Sequence, residues 1–242
     1  MTTIREPQVP VRKRHSPPPL ESGDHLTAAE FMRRFSAMPD LKKAELVNGI
    51  VYMASPVRID QHGEPDHLAQ GWLFNYSLQT PGTRGAANST TRLSPDDVPQ
   101  PDALLRILPG HGGNARIDAK GYLSGAPELV FEVAASSASI DTREKRDAYR
   151  RAGVKEYIVW RTEDVELDWW QMVDDAYVLL TPDGDGIIRS RCFPGLWLDL
   201  EALLREDAQK VIAALQSGLA SAEHEGFVAR LQETPNPSDS SE

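Results

Sequence analysis

The chain has 242 residues and a formal net charge of −10, with 40% hydrophobic and 26% charged residues. This length supports one sizeable hydrophobic core, and the acidic charge excludes a protein that coats nucleic acid through a basic surface. The acidic charge does not exclude an enzyme that acts on nucleic acid through a bound metal and a local basic patch.

The sequence also bears on membranes and redox environment. No stretch approaches the roughly 18 apolar residues that a membrane span needs, and the first residues lack the apolar segment of a secretory signal. The single cysteine, Cys192, excludes an internal disulfide. We therefore expect a cytoplasmic protein without a membrane partner.

Composition divides the chain into four expected segments. Residues 1–22 and 233–242 are rich in Pro and polar residues, which is typical of disordered tails. Between them we expect one folded domain at 23–205 and a C-terminal helical extension at 206–232.

The first folded elements are a short helix and a hairpin. Residues 24–35 contain Thr27-x-x-Glu30, the spacing of a capping box at a helix start. Residues 44–53 consist of two apolar runs around Asn48-Gly49. Asn-Gly between apolar runs predicts a type I′ hairpin, because both central residues of that turn need a positive φ.

A helix and three strands follow the hairpin. After a polar loop at 55–65, apolar residues at spacings of three and four predict a helix over 66–78. Strands are expected at 83–87, 90–93 and 101–107.

The stretch from Pro127 to Trp160 predicts a strand, a helix and a second strand. Further strands are expected at 165–173 and 176–181, and helices at 200–218 and 220–232. This alternation predicts an α/β or α+β fold with a mixed central β-sheet flanked by helices.

One carboxylate stands inside an apolar strand and needs a partner. Glu132 lies within 128–134, where side chains alternate between two faces, and it shares a face with Val130 and Ala134. A buried charge costs several kcal/mol unless it is compensated. Asp102 opens a second apolar strand. Two strands with one carboxylate each are what a shared site for Mg²⁺ between neighbouring strands requires.

Lys145 is predicted to point toward the sheet. At steps of three and four along 140–152 it falls in line with Asp141, Ala148 and Tyr149. An inward lysine needs an acidic partner or a function. Glu132, Asp141 and a substrate phosphate are all candidates.

These residues together resemble the Uma family of putative restriction endonucleases, within the PD-(D/E)XK nuclease superfamily. The resemblance rests on the order and spacing of several short elements and spans roughly Glu45 to Leu204. The elements are Glu45-Leu46-x-x-Gly49, Pro101-Asp102, Glu128 to Val133, Asp141…Lys145…Tyr149, Gly153 to Tyr157, and Pro194-Gly195.

The resemblance implies a restriction-endonuclease-like core with an N-terminal β-hairpin. It also implies that the protein is a Mg²⁺-dependent (or Mn²⁺-dependent) endonuclease that hydrolyses DNA. Asp102 and Glu132 match the family's metal-binding acids, and Lys145 matches a catalytic lysine on the helix. Glu45 matches an acid that completes the metal shell. His67, His62 and Asp141 are candidates for accessory roles at this site. DNA is the expected partner, and whether the chain forms a homodimer is left open.

This chain departs from the family pattern next to Glu132. The position two residues after it, a lysine in the parent motif, is Ala134, and the usual serine three residues after it is Ala135, with Ser136 one further on. Catalysis would therefore rest on Lys145.

Other interpretations remain open from the residues alone. Glu132 and Lys145 can form a purely structural ion pair. Asp102 can simply mark the start of a strand, and Glu45 can be a cross-strand partner within the hairpin. A catalytically impaired member that serves as a scaffold or protein-interaction module is the alternative function. A two-carboxylate glycosidase is a more distant one.

Overall fold

The computed structural model describes residues 16–53, 56–135 and 138–233. Residues 1–15 and 234–242, which make up most of the two expected tails, lie outside the described residues, as does Ser136. The division of the chain into domains therefore stays a prediction.

The described residues form seven α-helices and thirteen strands. The helices are α1 (Ala28–Phe35), α2 (Glu64–Gln79), α3 (Ala138–Ile140), α4 (Arg146–Ala152), α5 (Leu200–Leu204), α6 (Ala208–Leu219) and α7 (Ala222–Glu233). Two π-helical turns adjoin them, Ile59–Gly63 before α2 and Asp141–Lys145 between α3 and α4. None of the described helices is both long and apolar enough to cross a membrane.

The strands are numbered in chain order and belong to four sheets. They are β1 (Ala44–Val47), β2 (Ile50–Met53), β3 (Thr83–Ala87), β4 (Thr91–Arg92), β5 (Ala103–Ile107), β6 (Arg116–Ile117), β7 (Leu123–Ser124), β8 (Leu129–Ala134), β9 (Glu156–Arg161), β10 (Glu166–Val173), β11 (Ala176–Leu179), β12 (Ile187–Arg189) and β13 (Trp197–Asp199).

A six-stranded mixed sheet forms the centre of the molecule, in the order β11-β10-β9-β8-β5-β3. β8 and β9 run parallel, whereas the other neighbouring pairs are antiparallel. Parallel neighbours need a crossover connection, and the segment with α3 and α4 supplies it. The predicted strand–helix–strand unit and the mixed central sheet are confirmed.

Helices cover both faces of this sheet. The larger core cluster contains Trp72 of α2, Phe131 of β8, and residues of α6 and α7 such as Leu215 and Phe227. The cluster on the other face includes Val130 of β8 and Tyr149 of α4. Neighbouring residues of β8 thus point to opposite faces, as the alternation along the strand predicted.

The β1–β2 hairpin has the predicted turn. Asn48 and Gly49 have φ angles of 52° and 75°, so both central residues are left-handed, as a type I′ turn requires. Leu46 and Val51 of the hairpin pack with Phe31 of α1 in a third cluster. This N-terminal unit brings Glu45 into contact with Gln100, before β5, and with Lys145.

Two predicted helices have different bounds in the structure. The polar loop expected at 55–65 is helical from Ile59, so that the first helical turn extends the predicted helix toward its N-terminus. The helix expected over 200–218 is two helices, α5 and α6. Glu206 has a φ of 56°, which interrupts the helix, and the Asp207 side chain caps α6 by accepting from Lys210 N at 3.2 Å.

A buried carboxylate on β9 organises the loop after β12. Glu156 is fully buried. Its Oε1 accepts from the backbone N–H groups of Arg191 and Cys192 at 2.6 and 2.8 Å. Its Oε2 accepts from Ser190 Oγ at 2.8 Å and Trp169 Nε1 at 3.1 Å. Four donors around one carboxylate identify a structural role.

We predict that Glu156→Ala lowers the free energy of unfolding by at least about 3 kcal/mol, because four buried donors lose their acceptor. Urea unfolding followed by circular dichroism measures the change. Glu223→Ala, an exposed substitution on α7, is the control, with an expected change within about 0.5 kcal/mol. Equal stability of the two variants would contradict the structural role.

Candidate active site

Two carboxylates face each other from neighbouring strands of the central sheet. In the antiparallel pair β5–β8, Ala103 lies opposite Phe131, which places Asp102 opposite Glu132. Asp102 N lies 3.4 Å from Glu132 Oε2, and Val133 N donates to Asp102 Oδ2 at 3.0 Å. The two acids are only 2% and 1% exposed. The structure thus brings together the two acids that the sequence singled out.

Lys145 lies between three carboxylates. Its Nζ is 2.9 Å from Glu45 Oε2, 3.1 Å from Glu132 Oε1 and 3.2 Å from Asp141 Oδ1. The residue is 6% exposed, so its predicted inward orientation is confirmed. Tyr149, one turn further along the helix, donates its hydroxyl to Glu132 Oε1 at 2.9 Å. Glu132 therefore receives two hydrogen bonds from the crossover helix.

Glu45 reaches the site from the hairpin. Its Oε1 accepts from Gln100 N at 2.7 Å, while Oε2 pairs with Lys145. Glu45 therefore ties the first hairpin to the loop before β5 and to the crossover helix at once.

Asp102 has its own pair of basic neighbours. Lys43 Nζ lies 2.8 Å from Asp102 Oδ1, and His62 Nε2 lies 3.4 Å from Asp102 Oδ2. Lys43 also lies 3.4 Å from Asn88 Oδ1. Each of the two central acids thus has a different lysine beside it.

Both π-helical turns bear on this site. His62 lies in the turn before α2, and Asp141 and Lys145 lie at the two ends of the turn between α3 and α4. Single π-helical turns within α-helices occur frequently at functional sites. Their positions here agree with the site defined by the carboxylates.

Burial and charge act differently on the two central acids. Burial alone would raise the pKa of Asp102, but the hydrogen bond from His62 and the charge of Lys43 hold that pKa well below its usual value. Burial raises the pKa of Glu132 well above its usual value, and Lys145 opposes only part of this effect. Burial alone would lower the pKa of Lys145, yet Glu132, Glu45 and Asp141 together raise it well above its usual value. Lys145 therefore keeps its positive charge.

The acids and lysines line one cavity of about 410 Å³. Its lining among the described residues includes five carboxylates and three side chains that are permanently cationic, so the formal charge is minus two when every carboxylate is ionised and His62 is neutral. The acids are Glu45, Asp102, Glu132, Asp141 and Glu163, and the cations are Lys43, Arg58 and Lys145.

Among the described residues, no group of three or more His, Cys, Asp or Glu side chains is arranged to hold a metal ion by itself. Mg²⁺, however, is commonly bound by only one or two protein carboxylates, with water and substrate phosphate as its other ligands. Asp102 and Glu132 supply two hard oxygen donors on adjacent strands, which fits this mode of binding.

Six of the seven candidates from the sequence gather at this cavity, and His67 does not. His67 is exposed on α2 and does not line the cavity. The gathered residues are Glu45, His62, Asp102, Glu132, Asp141 and Lys145.

The sequence reasoning missed Lys43, although a signal was present. Lys43 stands two positions before Glu45, and residues two apart on an extended strand point to the same side. Applying the alternation to the first hairpin would have placed Lys43 beside Glu45 at the site.

The comparison with family models agrees with this geometry. A model described as Uma2, "Putative restriction endonuclease", matches residues 28–201. The chain belongs to the Uma2 family. The matched range contains the hairpin, the sheet and every residue of the cavity named above, so the site lies within the Uma2 part of the chain.

A solved structure has the same fold as this Uma2 protein. It is the crystal structure of a putative nuclease belonging to DUF820 from Anabaena variabilis, with a TM-score of 0.51 and 11% sequence identity. The match covers 68% of this chain and 90% of that one. At this identity the likeness concerns the fold, and it confirms the nuclease-like architecture. No match is found among curated proteins.

The contact between His62 and Asp102 leads to a pH-dependent stability. The hydrogen bond to Asp102 raises the pKa of His62 above its ordinary 6.5, although burial opposes it. Because the pKa of His62 is higher in the folded than in the unfolded protein, its protonated form adds to the free energy of unfolding. This contribution is complete below about pH 6.5 and is lost as the pH rises through the folded-state pKa.

We therefore predict that His62→Gln destabilises the metal-free protein at about pH 5.5 and that the difference from wild type shrinks toward about pH 8.5. Urea unfolding in EDTA across this range measures it. His67→Gln, which lies on α2 just after that turn and is exposed, is the matched control and should show no such trend. A difference that grows with pH would contradict the predicted sign.

Proposed function

We propose that this Uma2 protein is a Mg²⁺- or Mn²⁺-dependent endonuclease that hydrolyses phosphodiester bonds of DNA. The observation that carries the proposal is the pair Asp102, directly before β5, and Glu132, opposite it on β8, with a lysine beside each. Family membership and the nuclease-like fold also support a nuclease function.

The charge of the cavity supports metal dependence. With every carboxylate ionised, the lining keeps an excess of negative charge even when His62 is protonated, and this excess disfavours a phosphodiester anion that enters alone. A divalent cation held by Asp102 and Glu132 would balance that excess. Binding of the ion would also favour the ionised form of Glu132, against the effect of burial on its pKa.

The reaction is a hydrolysis without redox change. The oxygen of a water molecule forms a bond to phosphorus, the bond from phosphorus to one sugar oxygen breaks, and that oxygen takes up a proton while the water loses one. A bound divalent ion supplies Lewis-acid stabilisation of the phosphate charge and a more acidic water.

The residues of the chain provide orientation and charge for this step. Lys145 and Tyr149 hold Glu132 through its Oε1, and Val133 N holds Asp102 through its Oδ2. The hydrogen bond to Asp102 raises the pKa of His62 and so favours its protonated form. Arg58 is exposed at the same cavity and is available to an incoming phosphate.

We predict that wild-type protein nicks plasmid DNA in Mg²⁺ or Mn²⁺ and that EDTA abolishes the cleavage. Glu132→Gln should lower the rate at least about 10²-fold, because it removes a charged oxygen donor for the ion. Gel assays of supercoiled plasmid, with isothermal calorimetry of Mg²⁺ binding, measure both effects.

Glu64→Gln is the control, since this exposed glutamate at the start of α2 does not line the cavity. Cleavage that persists unchanged in Glu132→Gln would refute the assignment. Wild-type protein that takes up neither Mg²⁺ nor Mn²⁺ at millimolar concentration and leaves DNA intact would favour the scaffold function. Dimerisation stays a prediction.

A further inference from the structure

The two lysines at the site differ in the hydrogen bonds that they have left to give. A lysine ammonium has three N–H donors and no acceptor. Lys145 Nζ has three carboxylate neighbours, Glu45, Glu132 and Asp141, at 2.9 to 3.2 Å. Its Nζ donates a hydrogen bond to Glu132 Oε1 and forms ion pairs with Glu45 and Asp141, so acidic groups of the protein surround the ammonium. Its side chain is only 7% exposed.

Lys43 still has an N–H donor that is available for a hydrogen bond. Among the described residues its Nζ has one close acceptor, Asp102 Oδ1 at 2.8 Å, and one distant acceptor, Asn88 Oδ1 at 3.4 Å. Its side chain is 29% exposed and lines the cavity. At least one N–H of Lys43 is therefore available to a molecule that enters.

The cost of redirecting each lysine also differs. Turning Lys145 toward a substrate would leave buried carboxylates without their cation, which is strongly destabilising. Turning Lys43 would leave Asp102 with His62 Nε2 and the backbone N–H of Val133 as partners. The site can thus spare Lys43 far more easily than Lys145.

We propose that Lys43 is the catalytic lysine, whose ammonium contacts a non-bridging oxygen of the scissile phosphate, and that Lys145 is a positioning residue that holds Glu45, Glu132 and Asp141 together. This assignment rests on the proposed nuclease function and reverses the role that the family resemblance implies for Lys145. It adds no covalent step, because Lys43 only donates a hydrogen bond and neutralises charge.

The first test replaces Lys43 by Met and measures cleavage and DNA binding. The rate of plasmid cleavage in Mg²⁺ should fall about 10²-fold or more. Binding of a fluorescein-labelled DNA duplex in Ca²⁺ is measured by anisotropy at several KCl concentrations. Loss of one phosphate contact should lower the slope of log affinity against log salt by about 1.

Matched variants separate a substrate contact from general effects of charge. Lys42→Met makes the same change one residue away, at an exposed lysine that does not line the cavity, and it should keep the wild-type rate and salt slope. Lys43→Arg keeps the charge and should restore the salt slope. The Tm of Lys43→Met should stay within about 3 °C of wild type.

Lys145→Met tests the other half of the assignment. Because it leaves three buried carboxylates without a cation, its Tm should fall by about 10 °C. Its salt slope for the same duplex, measured below the Tm, should remain that of wild type.

Four results would overturn the assignment. They are a wild-type cleavage rate in Lys43→Met, an unchanged salt slope in that variant, no recovery of the slope in Lys43→Arg, and a Lys145→Met protein with normal Tm that has lost cleavage and salt slope. Each leaves the nuclease function intact, because wild-type cleavage is measured in the same experiment. Absence of wild-type cleavage and of duplex binding would instead refute the proposed function and the assignment with it.

Discussion

The site depends on the cost of burying several carboxylates in one place. Glu132 and Asp141 are nearly inaccessible to water, and Glu45 lies close to them against the same ammonium. Buried charges of one sign are tolerated only when cations and donors compensate them. Lys145 meets this condition for three acids at once, so the hairpin, the central strand and the crossover helix are held at a single point.

The sheet topology delivers these groups to each other. The antiparallel register of β5 and β8 sets Asp102 opposite Glu132, and the parallel pairing of β8 with β9 requires the crossover helix that carries Lys145. The departure at Ala134 fits this arrangement. Ala134 is fully buried in a cluster with Val159 and Tyr157, where a lysine side chain would be costly. The helix supplies the ammonium beside Glu132 instead.

Membership in the Uma2 family and the distribution of charge address different questions. The family and the nuclease-like fold concern the architecture, whereas the contacts of each side chain decide which group is free to act. Lys43 lines the cavity with a side chain that is 29% exposed, while Lys145 and Tyr149 hold Glu132 through its Oε1. A motif match alone does not separate these two kinds of residue.

Local patterns in the sequence determined the mixed sheet, the type I′ turn at Asn48-Gly49, the inward face of Lys145 and the two strand acids, because periodicity and turn chemistry depend on neighbours along the chain. Only the tertiary structure decided that Asp102 lies opposite Glu132, that His62 reaches Asp102 whereas His67 does not, and that Lys43 belongs to the site. These contacts depend on strand register and helix placement across as many as 59 residues of sequence separation. Spacing along the chain carries no information about which remote side chains share a cavity, because register and packing are set by the whole core.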